Sequence, residues 1–269
     1  MRSVSAHLEA DVHTSSDVVL LVAAAHGAST EDPAARPEEL DVRIDGVPVD
    51  LTELHGPHGT RVHTLSASPG HLTVEYRAEV SPEVTPITAD PLDVVTYLRP
   101  SRYVESDTLV GLAGAELRGL SGVDLLHGAR SWVAERFTYV PGSTRGSDGV
   151  RDVLLSRRGV CRDYAHVVAG LLRAVDVPAR TVSVYAPGLA PMDFHAVVEA
   201  YLDGTWYVLD ATGLAPRGSM VRIATGRDTA DTAFLSTYRG GVTLRSLRVT
   251  ATEGVAQETE PDDALVQLA

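Results

Sequence analysis

Arg157-Arg158-Gly159-Val160-Cys161-Arg162-Asp163-Tyr164-Ala165-His166-Val167-Val168-Ala169-Gly170-Leu171-Leu172 sets the single cysteine of a 269-residue chain at the start of an apolar helical run. The first amides of a helix have no partners within it, and their partial positive charge favours an anion at that end. A thiol placed there is set up to react as a thiolate. Only Cys161 can play this part, because the chain has no second cysteine.

Working outward, Phe194-His195-Ala196-Val197-Val198-Glu199-Ala200-Tyr201-Leu202 and Trp206-Tyr207-Val208-Leu209-Asp210 flank Asp203-Gly204, a pair suited to a two-residue hairpin turn. Leu202 then faces Thr205, and the numbers of all opposed residues share one sum. In that register Val197 lies opposite Asp210, and His195 is its diagonal neighbour on the same face. The other face, with Ala196, Val198, Ala200, Leu202, Tyr207, Leu209 and Ala211, is apolar except for one phenol. The hairpin is therefore expected to bury one side and to present His195 and Asp210 together from the other. A nucleophilic thiol needs a base to take its proton and a carboxylate to orient that base. Cys161 would attack, His195 would move the proton and Asp210 would orient the imidazole.

Three segments together, Arg158 to His166, Asp193 to Glu199 and Trp206 to Thr212, resemble the core of the transglutaminase-like superfamily of papain-type thiol enzymes. The likeness covers about residues 123–213, and more loosely the β-rich region before it, as in bacterial transglutaminase-like cysteine proteases and amidases. It implies a Cys–His–Asp triad at Cys161, His195 and Asp210 and an oxyanion site that uses the Cys161 backbone amide. It also implies cleavage or exchange of an amide or peptide bond through a thioester, hydrolysis being favoured over cross-linking, with no cofactor. Such cores commonly have proline after the aspartate, where this chain has Ala211. The aromatic oxyanion donor of cross-linking members has no clear counterpart; Tyr139 and Tyr164 are the candidates. The reading from a different class is a non-catalytic scaffold in which the fold serves as a protein-binding module.

Along the chain, residues 1–90 show short alternating runs, Asp17–Ala25, Leu40–Ile44, Thr60–Leu65 and Leu72–Val80, broken by Asp45-Gly46 and Pro69-Gly70. This pattern predicts a small antiparallel β domain. Pro82, Pro86, Pro91 and Pro100 mark residues 91–122 and their approach as a linker that packs on both halves. Residues 123–252 follow as the catalytic domain. Helices are predicted from Val123 to about Ala134, from Asp148 to Ser156 and from the cysteine to about Val175, and strands over Ala179–Tyr185, His195–Leu202, Trp206–Asp210 and Val242–Thr250. Helices followed by strands point to an α+β fold, a cysteine helix packed on an antiparallel sheet. Residues 253–269, acidic and without a basic side chain, are predicted to be disordered.

Composition narrows the function. A formal net charge of −13 repels phosphate backbones and anionic membranes, so no nucleic acid and no membrane is expected as a partner; the resemblance implies a peptide, protein or small amide as substrate. All 23 basic residues are arginine, which removes Walker A loops and lysine Schiff bases. The longest early apolar run, Val18 to Ala25, is far short of the roughly 20 residues that span a bilayer, and a cytoplasmic setting is expected. His55, His58, His63 and His71 follow no zinc spacing, and no metal is expected. Of the neighbours of the site, Glu199, Tyr201 and Trp206 are expected in solvent, His166 in packing, Asp163 at the helix amino terminus, and Arg157 and Arg158 on the surface.

Overall fold

The computed structural model describes residues 1–27, 37–81, 90–254, 260, 261 and 263–268. Pro82 and Pro86 lie outside them. In strand β1, Arg2–Val12, every second side chain is buried, the period of a strand with one face on a core. Then come β2 (Ser16–Leu20), β3 (Glu38–Ile44), β4 (Val47–Pro48), β5 (Thr52–His55), β6 (Arg61–Ala67) and β7 (Gly70–Val80). The expected Asp45-Gly46 turn joins β3 to β4, both residues having positive φ (50° and 78°), as a two-residue hairpin turn of this type requires.

The middle of the chain supplies the helices: α1 (Pro91–Thr96), α2 (Val110–Glu116), α3 (Gly122–Arg136), α4 (Val150–Ser156) and α5 (Cys161–Arg173), with the short strands β8 (Thr138–Tyr139) and β9 (Arg158–Gly159) between them. The region expected as a linker thus holds two short helices, each shorter than its prolines would have interrupted. Then follow β10 (Ala179–Tyr185), β11 (Phe194–Leu202), β12 (Thr205–Leu209), β13 (Val221–Gly226), α6 (Thr229–Thr232), β14 (Leu235–Tyr238) and β15 (Val242–Glu253). Among the described residues the larger sheets are ordered β15-β1-β7-β3-β4, β14-β2-β6-β5 and β12-β11-β10-β13, beside the two-stranded β8-β9 ladder. The first two face each other across an apolar core. The third carries α5 on the Ala196, Val198, Ala200 face, with α2, α3 and α4 around the helix.

Three features differ from the sequence reading. The last strand, β15, pairs with β1 along its whole length, so the amino-terminal sandwich is completed from the carboxyl-terminal side of the chain, and β14 joins its second sheet. The sandwich core also continues into the third sheet through Tyr185, Val221, Ile223 and Ala224, and the Tyr185 hydroxyl donates to the Val22 carbonyl at 2.6 Å. Finally, the acidic tail is docked where described. The Val208 amide donates to the Val266 carbonyl at 2.8 Å, and Leu268 is buried with Val182, Val184, Val197 and Met220. That contact covers the sheet face expected to be open. The tail's few apolar residues, Leu265, Val266 and Leu268, were outweighed in the reading by its charges.

Candidate active site

The segment that delivers the cysteine is built around Gly159. A Cβ there would stand 2.6 Å from Asp163 Cβ, closer than packed atoms allow. With no side chain in the way, the Asp163 carboxylate folds back and accepts from the Val160 amide at 2.8 Å and from the Thr144 hydroxyl at 2.6 Å. Asp163 thus holds the amino terminus of α5, as expected, and fixes the turn on which partly exposed Cys161 sits. The β8–β9 ladder brings Tyr139 opposite Gly159. The Tyr139 phenol is pushed up to about 12, first by burial and then by the Cys161 thiolate charge, while the Cys161 amide pulls the other way. Cys161 thus acts on this phenol through both its amide and its side chain.

His195 and Asp210 come from the hairpin in the expected register, Val198 opposite Leu209 and Leu202 opposite Thr205, around Asp203 and Gly204 with φ of 49° and 89°. His195 Nε2 and Asp210 Oδ2 stand 2.9 Å apart, in side chains 1% and 3% exposed. Burial opposes both charges. The Asp210 charge and hydrogen bond nevertheless hold the imidazole up at about 10, with Cys161 adding in the same sense, and His195 in turn holds the Asp210 carboxyl below its ordinary value. Because Nε2 faces the carboxylate, Nδ1 is the nitrogen left for the sulfur.

Sequence reasoning passed over Thr212 and Arg130. The Thr212 hydroxyl and amide both donate to Asp210 Oδ1, at 2.7 and 2.8 Å, leaving Oδ2 for His195. Arg130 Nε donates to the Asp210 carbonyl at 3.0 Å. An Asp-x-Thr step at a strand end is a signal for such a turn. Ala211, in the place where proline is common, is buried with the Val198 face. Asp193 also belongs to this neighbourhood: burial raises its carboxyl, with the Phe194 amide and His195 acting against that.

Other residues fall differently. Tyr164 is buried, with its ring between those of Phe137 and Tyr139 at about 6 Å from each, and its phenol is raised by burial alone. Of the two candidate tyrosines, Tyr139 is the one whose phenol responds to Cys161. His166 is buried, stacks on Tyr103 and accepts from the Thr229 amide, which is the packing role expected. Arg157 lies over the Trp132 and Phe137 rings. Contrary to expectation, Glu199 and Trp206 are 1% and 3% exposed. Arg180, directly opposite Glu199 on β10, and Arg222 from β13 both bond the carboxylate, and Arg180 lies 4.0 Å over the Trp206 ring.

Residues 123–211 match the family model of the transglutaminase-like superfamily. They form a transglutaminase-like core. Over 98% of this chain and 94% of the other, the fold is similar to the crystal structure of a proposed cysteine protease from Cytophaga hutchinsonii, with a TM-score of 0.85 at 28% identity. The likeness therefore takes in the sandwich as well as the transglutaminase-like core. An uncharacterized Mycobacterium leprae protein is 26% identical over 215 residues, 73% of this chain and 74% of its own. An uncharacterized Mycobacterium tuberculosis protein is 33% identical over 118 residues, 44% of this chain and 31% of that longer one.

Proposed function

We propose that the protein is a cysteine-dependent acyl-transfer enzyme that hydrolyses an amide or peptide bond through a thioester on Cys161. The observation that carries this reading is the buried His195–Asp210 pair acting on a thiol at the head of α5. Cys161 Sγ, as thiolate, attacks the carbonyl carbon. The oxyanion that forms takes the Cys161 amide and the Tyr139 hydroxyl as donors. His195 Nδ1 gives its proton to the leaving nitrogen, the C–N bond breaks and the thioester remains. Water then attacks, His195 takes its proton, and the C–S bond breaks to release the acid and return the thiolate. Asp210 holds the imidazole in the required tautomer throughout.

Hydrolysis is favoured over cross-linking because water needs no acceptor pocket, and the similar Cytophaga hutchinsonii protein is described as a proposed cysteine protease. A reducing, cytoplasmic setting suits a reactive thiol with no partner cysteine. The test is a library of amides and peptides assayed with and without primary amines. Free acid should dominate, with Cys161→Ala inactive. An amine adduct as the main product would reassign the acceptor. A library with no substrate, together with an unreactive thiol, would favour the scaffold reading.

A further inference from the structure

Glu53 and His55 stand two residues apart on β5, so both side chains leave the same face of this edge strand. His26 reaches them from the segment after β2. Its amide donates to the Gly59 carbonyl at 2.9 Å, and the packing is so close that a Cβ on Gly59 would come 1.9 Å from the His26 oxygen. Gly59, with φ of +73°, is therefore the residue that lets the His26 backbone lie against the turn. One ligand atom from each of His26, Glu53 and His55 lies within 4.8 Å of the other two. Glu53 Oε1 is 3.7 Å from His26 Nε2 and 3.9 Å from His55 Nδ1.

Around a tetrahedral zinc ion with bonds of about 2.0–2.1 Å, donor atoms stand about 3.3 Å apart, so the two Glu53 distances need to close by roughly half an ångström and the two histidines by no more than about 1.5 Å. The exposed His55 side chain has room to do so. A second layer already orients the carboxylate. Arg61 donates to Glu53 Oε1 at 2.7 Å and to Oε2 at 3.1 Å, and buried His63 meets Oε2 through Nε2 at 3.2 Å. Arg61 is shared with Glu38 at 2.5 Å. Two carboxylates against one guanidinium leave the cluster one negative charge, which a divalent cation offsets.

We propose that His26, Glu53 and His55 form a site for a divalent transition metal, zinc fitting best, with water in the fourth position. Two imidazoles and one carboxylate suit zinc over the hard cations calcium and magnesium, which take oxygen ligands. The site lies on the sandwich, uses none of the residues assigned to catalysis, and would fasten the segment after β2 to the exposed strand β5. The histidines come from separate turns and strands, so no spacing in the sequence announces them.

The experiment is zinc titration of the full chain by calorimetry, on a Cys161→Ala background so that the thiol and His195 do not capture the ion. One zinc per chain is expected, with magnesium unable to compete. His55→Ala on that background should weaken binding at least tenfold while leaving the metal-free melting temperature unchanged. Zinc should raise the melting temperature of the parent and not of the His55→Ala protein. No measurable zinc binding, or binding unaltered by both His55→Ala and His26→Ala, would overturn the proposal.

Discussion

Thr212 shows what one hydroxyl does for the site: by engaging Asp210 Oδ1 it directs Oδ2 at His195. Thr212→Val should lower kcat about tenfold with little change in KM, since a lost orienting bond acts through the base; steady-state kinetics on the amide substrate checks this. His195→Ala should cost about 10²–10⁴-fold, and Asp210→Ala less, because the base remains. The His195–Asp210 pair also sets a pH signature. His195 is raised from 6.5 to about 10, so the stability it adds is fully present below about pH 6.5 and disappears as pH rises through about 10. The stability gap between the native protein and His195→Gln, from urea titrations, should narrow across that window. The His195–Asp210 pair was legible because hairpin parity constrains where side chains point. Glu199 was misread because a lone carboxylate ordinarily signals solvent, and its arginine partners sit 19 residues before it and 23 after.

At the scale of elements, the turn before α5 depends on an absent side chain. Gly159→Ala would drive a methyl into Asp163 and should destabilise the fold by about 1–3 kcal/mol, an overpacking cost visible in thermal unfolding, with slower thiol chemistry as the cap shifts. Helices α3, α4 and α5 and the β10–β12 strands were readable from periodicity and from Asp-Gly turns. Of the strands longer than four residues, β1 and β13 were not. β1 alternates small residues, Ala6 and Ala10, with Val4, Leu8 and Val12, a weak hydrophobic signal for the strand between β15 and β7. β13 is buried on both faces, so it has no amphipathic alternation to detect, and Arg222 within it reads as surface.

Across the whole molecule, Arg180 ties the parts together. It bonds Glu199 at 2.7 Å in the transglutaminase-like core, approaches Asp93 of α1 at 3.6 Å and meets His58 of the sandwich turn at 3.3 Å. Burial raises the cost of the Glu199 charge, but Arg222 and Arg180 hold its carboxyl down at about 2. The stability it contributes is therefore present above about pH 4.5 and lost as pH falls towards 2. Glu199→Gln should cost about 3–5 kcal/mol at neutral pH, the penalty of leaving buried arginines uncompensated, and should flatten the acid limb of the unfolding curve. The tail is a second long-range tie: Leu268→Ala should cost about 2–3 kcal/mol by emptying its place beside Val208 and Met220. Pairings between distant segments, such as β1 with β15, leave no trace in local periodicity, which is why the assembly was less legible than its pieces.

The most direct measurement is acylation of Cys161 by a thiol-directed activated ester, followed by intact-mass spectrometry and peptide mapping at neutral pH. Rapid formation of one adduct on Cys161 in the native protein, decaying in water and slowed by at least 10²-fold in His195→Ala, is the expected result. A thiol that stays unmodified in the folded protein, or reacts equally fast without His195, would contradict the proposed chemistry.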